Sequence, residues 1–172
     1  MAATATWQED NGAATGTPLK GSVRTDAPHV NWKATDNVTT PYTNSSIIAG
    51  QNSYPKYQFI KFTGSFTQIS AGRFAHTAGS LGPGLNLVGK VTSIYETPSR
   101  SALSGATNMN ATTAVANGSV VNFSTTGPEG ASSFSINGPG YTQYMVTQLQ
   151  TTAAAAAGDI PTQTFTFQWN EN

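Results

Sequence analysis

The feature that most constrains this chain is the alternation of apolar and hydroxyl-bearing residues in short runs bounded by Gly or Pro. The last run, QTFTFQWNEN over 163–172, places Phe165, Phe167 and Trp169 on every second position, with hydroxyl or amide side chains between them. Successive side chains of a β-strand point to opposite faces of the sheet. This period therefore predicts a strand with one buried face.

Other runs extend the pattern. KYQFIKFTGSFTQIS, over 56–70, is apolar on both faces at its centre, which indicates a central strand covered on both sides. We expect the long run over 141–152 to pair in antiparallel fashion with the final strand. In all we count eight or nine strands and no amphipathic helix, which is typical of sandwiches and barrels. The sequence predicts an all-β protein, an antiparallel β-sandwich that is jelly-roll-like.

The first forty-five residues differ from the rest because they contain few large apolar side chains. Such a segment has too little apolar surface for a core of its own. Two interpretations stay open: irregular loops plus one edge strand folded over the sandwich, or an extended arm held on a neighbouring subunit. On the second, Trp7, Trp32 and Tyr42 are the candidate subunit-contact anchors. We therefore divide the chain into an extended N-terminal arm and irregular segment, 1–45, and a β-sandwich domain, 46–172.

Charged residues make up only 9% of the chain, against about 25% in an average soluble domain. Eight basic residues balance eight acidic ones, so the chain has no electrostatic footprint for nucleic acid or an anionic membrane. So little charge gives weak repulsion between copies. The surface must consist of hydroxyls and amides or be covered by partners, which favours an assembled particle or a sugar-contacting surface.

The chain contains no cysteine, which excludes disulfides and thiolate chemistry. Its start, MAATATWQED, lacks the basic and apolar regions of a secretory leader. No run approaches the roughly 20 apolar residues that a membrane-spanning helix needs. These features predict a soluble protein made in a cytoplasm.

Residues with catalytic or metal-binding chemistry are few and scattered. The two histidines, His29 and His76, have no short spacing that would bring them to one metal ion. No G-x-S-x-G elbow occurs. Glu96, Glu129 and Asp159 lie at the ends of predicted strands, where solvated turn residues are normal, so they do not suggest a glycosidase pair. We predict no enzyme activity, no metal and no cofactor.

The aromatic content also permits a carbohydrate-binding module, in which exposed rings stack on sugars. Trp169 alternates with two phenylalanines and is better interpreted as core. Trp32 and Tyr42 lie in the irregular region, and Tyr141 and Tyr144 flank the start of a strand, so these four are the candidates for exposed rings.

WQEDNG near the start, KYQFIKFTGSFTQIS in the middle and YTQYMVTQLQTTAAAAAGDIPTQTFTFQWNEN at the end together resemble small virion structural proteins of tailed bacteriophages. The resemblance covers most of the chain and rests on spacing and texture. It implies a β-sandwich or jelly-roll protein present in many symmetric copies on a head or tail. Capsid decoration (cement) proteins of this size commonly join such a sandwich to an arm that ties adjacent capsomers.

The resemblance implies a capsid decoration protein that stabilises the head at capsomer junctions, in a virion assembled in the host cytoplasm. Its partners would be further copies of itself, most simply in a homotrimer, and a major capsid protein. Neither nucleic acid nor a membrane is an expected partner. The alternatives are a tail, baseplate or collar subunit, and a carbohydrate-binding or adhesin module on the virion surface.

Overall fold

The computed structural model contains two antiparallel β-sheets packed against each other. It describes residues 2–17, 19–27, 30–37, 39–112, 121–122 and 135–172. The strands are β1 (Thr4–Thr15), β2 (Lys20–Asp26), β3 (Lys56–Thr63), β4 (Ile69–Ala78), β5 (Leu85–Thr92), β6 (Thr107–Asn108), β7 (Val121–Asn122), β8 (Ser135–Ile136), β9 (Gly140–Tyr141), β10 (Tyr144–Thr151) and β11 (Thr164–Glu171). The helical structure within these ranges is one 3₁₀ turn, Tyr42–Asn44. The predicted all-β antiparallel sandwich is confirmed.

The larger sheet has the strand order β2-β1-β3-β10-β5-β6, with β9 also pairing with β3. The smaller sheet has the order β11-β4-β7, with β8 also pairing with β4. The prediction that the last two long runs pair with each other is wrong. β10 pairs with β3 and β5, whereas the linker 152–163 leads to β11, which pairs with β4 in the other sheet.

Burial explains that choice of partners. Residues 144–149 of β10 are buried on both faces, so this strand fits only at the centre of a covered sheet. β11 is buried mainly on its Phe165–Phe167–Trp169 face, which suits a strand at the edge. The doubly covered strand predicted within 56–70 is β3, whose residues 56–60 are all buried, and that prediction is confirmed.

The core between the sheets is rich in aromatic contacts. Phe62 of the larger sheet lies 6.4 Å from Phe167 and 5.3 Å from Trp169 of the smaller sheet, measured between ring centroids. Phe74 of β4 stacks on Phe165 at 5.3 Å. These contacts fix the aromatic face of β11 toward the interior, as the alternation in the sequence predicts.

The outer face of the larger sheet is covered too, by the segment 93–106. The Nε2 atom of Gln148, in the middle of β10, donates to the backbone oxygens of Ser53 and Ser101, each at 2.9 Å. The Leu103 amide donates to Oε1 of the same glutamine at 2.9 Å. A buried amide side chain therefore ties this covering segment to the central strand.

The structure places β1 and β2 in the larger sheet, although the sequence assigns them to an extended N-terminal arm and irregular segment, with loops plus one edge strand as the open alternative. β1 lies between β2 and β3, and it pairs with β3 from Thr4 opposite Thr63 to Asp10 opposite Tyr57. This ladder crosses the predicted boundary at residue 45. The low apolar density is compatible with a strand here because buried polar contacts replace much of the missing apolar surface.

Two smaller predictions also differ from the structure. The sequence SSIIAG, over 45–50, suggests a short strand but forms none, and Ile48 is 65% exposed. A glycine within the run 85–97 suggests a bulge at Gly89, but this residue lies in an unbroken register opposite Thr147. A Cβ at Gly89 would collide with the Sδ atom of Met109, so close packing explains this glycine. The sequence also predicts a strand from SVVNFSTT, over 119–126, and a turn from GPEG after it, and both lie largely outside the described residues.

Candidate functional site

A cleft of about 1130 Å³ is lined by both sheets, by residues 46–49 and by the linker 152–163. Its aromatic wall consists of Trp7 from β1, Trp32 and Phe165 from β11. The linker contributes a stretch of alanines and the exposed carboxylate of Asp159. Aromatic rings, amides and one carboxylate around a concave site are typical of ligand-binding pockets.

Two of the three predicted anchors meet in this cleft. The half-buried ring of Trp7 lies 6.5 Å from Phe74 in the core. Trp32, also half-buried, makes an edge contact with Phe165 at 5.8 Å, and its Nε1 donates to Oγ1 of Thr147 at 3.2 Å. Both indoles are therefore held in fixed orientations by their own chain. Their role in subunit contacts stays a prediction.

Tyr42, the third predicted anchor, lies in the 3₁₀ turn Tyr42–Asn44, and its side chain is outside the described part of the structure. The cleft is lined by Trp7 and Trp32 without it. The structure thus brings two of the three predicted anchors together.

A buried ion pair, which the sequence did not predict, lies next to the cleft. Gln58 of β3 lines the cleft, and its Nε2 donates to Oε2 of Glu9 at 3.4 Å. The other oxygen of Glu9 accepts from Nζ of Lys56 at 3.1 Å. Glu9 and Lys56 are 2% and 1% exposed. A pair so fully removed from water is stable only because each charge has its partner.

A second buried lysine lies beside this pair. Lys33 is 1% exposed, and its Nζ donates to the backbone oxygen of Thr40 at 2.7 Å and to Oδ1 of Asn37 at 3.3 Å. Burial, followed by repulsion from Lys56, lowers the pKa of Lys33. Burial raises the pKa of Asp36, although the Gly12 amide donates to its Oδ2 at 2.6 Å and partly offsets the shift.

A separate polar network lies on the other face of the larger sheet. Asp10, 1% exposed, accepts two hydrogen bonds from the Arg24 guanidinium, at 2.8 and 3.0 Å, and one from the Tyr144 hydroxyl at 2.5 Å. Arg24 also lies over the rings of Phe59 and Tyr141, at 4.6 and 5.2 Å. Such paired, stacked geometry suits arginine and links three strands, β1, β2 and β10.

Three buried tyrosines surround this network. The ring of Tyr57 lies 4.8 Å from Tyr95 and 5.6 Å from Tyr144, and the Tyr95 hydroxyl donates to the backbone oxygen of Gly12 at 2.7 Å. Burial raises the pKa of Tyr57 to about 12. Burial also raises the pKa values of Tyr95 and Tyr144, and the Asp10 carboxylate raises that of Tyr144 further.

Tyr141 and Tyr144, two candidates for exposed rings, belong to this region. Tyr144 is fully buried and Tyr141 is half-buried against Phe59, so the expectation that Tyr144 is exposed is wrong. The start of β10 lies at the centre of the sheet, where no ring can reach solvent.

Within the described residues no group of three or more His, Asp or Glu side chains is placed to hold a metal ion. His76 is buried, with Nδ1 at 2.8 Å from the Met109 backbone oxygen. The side chain of Glu96 is exposed, and its backbone hydrogen-bonds the buried Tyr57. His29 and Glu129 lie outside the described residues. The buried carboxylates Glu9 and Asp10 are each neutralised by a partner.

One sequence signal pointed to these networks. Glu9, Asp10, Arg24 and Lys56 lie inside runs that form strands, whereas the other acids singled out by the sequence analysis lie at turns or strand ends. In a chain with so few charges, a charged residue within a strand is a candidate for burial. The identity of each partner depends on strand order, which the sequence does not give.

No helix among the described residues is long and apolar enough to cross a membrane. Comparison of the chain with protein-family models, with curated proteins and with solved structures finds no match. Functional inference therefore rests on the geometry.

We predict that the Glu9–Lys56 pair is essential for stability. Glu9→Gln should lower the free energy of unfolding by about 3 kcal/mol, because it removes the ion-pair partner of the buried Lys56. The double variant Glu9→Gln/Lys56→Met should recover part of this loss. Urea unfolding measures both. Glu96→Gln, the same substitution at an exposed site, should change stability by less than about 0.5 kcal/mol. An equally small effect at Glu9 would contradict the prediction.

The tyrosine cluster predicts unfolding in alkali. An unfolded tyrosine ionises near pH 10.0, and the folded pKa of Tyr57 is about 12. The protonated side chain therefore stabilises the fold fully below pH 10.0, and this contribution is lost as the pH rises toward 12. Each such tyrosine adds a slope of about 1.4 kcal/mol per pH unit. Denaturant unfolding as a function of pH should show this decline, and Tyr57→Phe should make it shallower. A flat profile across this range would refute the assignment.

Proposed function

We propose that this chain is a structural subunit of a tailed-bacteriophage virion, most simply a capsid decoration protein that binds at capsomer junctions. The observation that carries the proposal is that several of the few charged side chains of this chain are buried, which leaves the surface with even fewer charges. Four charged side chains, Glu9, Asp10, Lys33 and Lys56, are at most 2% exposed.

With eight basic and eight acidic residues in the chain, at most twelve charged side chains remain for the surface of 172 residues. A freely diffusing protein normally keeps more charge to prevent association. A surface of hydroxyls and amides is instead compatible with contacts that cover much of it. This favours a subunit of an assembly over a soluble enzyme.

The mechanism is mechanical. Both faces of the larger sheet are covered, and buried ion pairs and hydrogen bonds connect its strands, so the sandwich is a rigid body. Binding of such a body to the assembled head, but not to the disassembled subunits, stabilises the head by mass action. Because β1 and β2 form part of the sheet, the linking contacts come from the surface and edges of the sandwich.

The proposed partners are a major capsid protein and further copies of this chain. The homotrimer stays a prediction, and a two-fold pair of copies is the arrangement that competes with it. The same rigid sandwich also fits a ring in a tail, baseplate or collar. Copy number separates these locations, because a decorated head carries hundreds of subunits and a tail ring carries few.

The test is quantitative mass spectrometry of purified virions of the phage that encodes the chain, combined with electron microscopy. We expect the chain in hundreds of copies on the head, and particles lacking it should release DNA at a lower temperature. Adding back the purified protein should restore the release temperature. Absence of the chain from virions would overturn the proposal, and a low copy number on the tail would favour the alternative location.

The cleft favours a second candidate, binding of neutral glycans. Trp7 and Trp32 are half-buried and fixed, so each has ring surface available for stacking on a sugar without loss of side-chain freedom. Gln58 and Asp159 add hydrogen-bonding groups to the same cleft.

A glycan array tests this candidate. Trp32→Ala should abolish binding to any glycan that the wild-type chain retains, whereas Trp32→Phe should keep part of it because an aromatic ring remains. Circular dichroism of both variants checks that the sandwich is intact. A wild-type chain that binds no neutral glycan, or an unaltered affinity in Trp32→Ala, would exclude the cleft as a glycan site.

A further inference from the structure

The edge strand β11 is eight residues long, and seven of these residues pair with β4 on one side, whereas no described residue pairs with its other side. The larger sheet ends in β2 on one edge and in the two-residue β6 on the other. The opposite border of the smaller sheet carries the two-residue strands β7 and β8. Among the described strands, β11 and β2 are therefore the two long edges.

These two edges differ in how they are protected. β2 carries Lys20, Arg24 and Asp26. Charged side chains on an edge oppose its pairing with another strand. β11 contains no Lys, Arg or Pro, and its one charged residue, Glu171, accepts a hydrogen bond from the Ala3 amide at 2.8 Å. β11 thus presents a long and uncharged edge.

We propose that β11 pairs with β11 of a second copy of this chain, in antiparallel fashion about a two-fold axis, so that the two smaller sheets become continuous. This interface goes beyond the proposed function and does not require a place on a virion. Main-chain groups along the outer side of β11 would supply the pairing. An isologous contact of this kind closes after two copies.

The sequence of β11 selects the register. Pairing must keep the aromatic faces of both copies on the same side of the joined sheet, since a slip of one residue exchanges the faces. With Phe167 opposite Phe167 of the second copy, Phe165 lies opposite Trp169 at both ends. All three aromatic positions then face aromatic partners, and Phe165 and Trp169 are only half-buried in a single chain.

The neighbouring allowed registers are poorer. Centring the pair on Gln168 places Phe165 opposite Glu171, and centring it on Thr166 places Trp169 opposite Gln163. A parallel arrangement would place the two Glu171 carboxylates side by side, and like charges directly opposite each other destabilise a sheet. The Phe167-centred antiparallel pair avoids these contacts.

This register places Thr164 of each copy opposite Asn170 of the other. Both residues are exposed, and they are about 20 Å apart along one strand, so they do not interact within a chain. Thr164→Lys/Asn170→Lys creates two pairs of like charges across the interface and should raise the dimer Kd about tenfold. Thr164→Lys/Asn170→Glu changes the same positions but creates two pairs of opposite charges. It should dimerise at least as tightly as the wild type.

Sedimentation velocity over a concentration series measures the three Kd values, and circular dichroism confirms the fold of each variant. The difference in dimer Kd between the two variants should become smaller in high salt, since exposed charges are screened. If the double-lysine variant fails to fold alone, mixing it with Thr164→Glu/Asn170→Glu before refolding should give a heterodimer. A wild-type chain that stays monomeric or forms a trimer would overturn the proposal, as would equal Kd values for the two variants. Binding of β11 only by a capsid strand would overturn it as well.

Discussion

The structure depends on the coverage of the larger sheet on both faces. A two-layer sandwich normally exposes one face of each sheet to water, and its strands then alternate between apolar and polar residues. Here β3 and β10 are buried on both sides, by the smaller sheet on one face and by the segment 93–106 on the other. These two strands therefore act as the centre of a three-layer arrangement, and the other strands are arranged around them.

The two covered faces have different chemistry, and the difference follows from what covers them. The face toward the smaller sheet meets another array of aromatic side chains, so Ile60 and Phe62 form an apolar core there. The face under the segment 93–106 meets irregular backbone, whose polar groups need partners. Tyr95 and Gln148 combine packing surface with a group that donates to a backbone oxygen, whereas the hydroxyl of Tyr144 donates to the Asp10 carboxylate. The raised pKa values of the tyrosines are a consequence of that burial.

Much of the fold could be predicted from the sequence, because strand identity is a local property. The alternation over 163–172 and the doubly apolar run over 56–70 define β11 and the centre of β3 directly. Strand partners are not local. β10 and β11 are successive runs joined by a short linker, but they lie in different sheets because one is apolar on two faces and the other on one.

The site was harder to predict than the fold. Trp7 and Trp32 could be singled out as large side chains in a polar segment, although the structure places them against their own core. The positions of Glu9 and Lys56 in strand-forming runs make each a candidate for burial, but their pairing could not be predicted, since it depends on β1 lying beside β3. Glu9 and Lys56 are far apart in the sequence but neutralise each other in the fold. The segment that forms β1 therefore looks too polar for a buried strand when the sequence is considered alone. The low apolar density of the segments that form β1 and β2 therefore reflects polar side chains that are paired within the sheet, and not an extended arm.

The distribution of charge connects the interior to assembly. Burying Glu9, Asp10, Lys33 and Lys56 brings no large gain in stability, because desolvation offsets most of the attraction between paired charges. The burial of these four side chains matters for the surface instead, because the surface then has fewer charged groups to repel other copies of the chain in solution. Arg24 has a further effect, because its bonds to Asp10 hold the charged edge strand β2 against β1. The charged side chains of β2 thus oppose strand pairing at one edge of the molecule, whereas β11, at the other edge, has Glu171 as its one charged residue. Such a sandwich is expected to contact its neighbours through the β11 edge in preference to the β2 edge, because the few charged side chains at the edges are concentrated on β2.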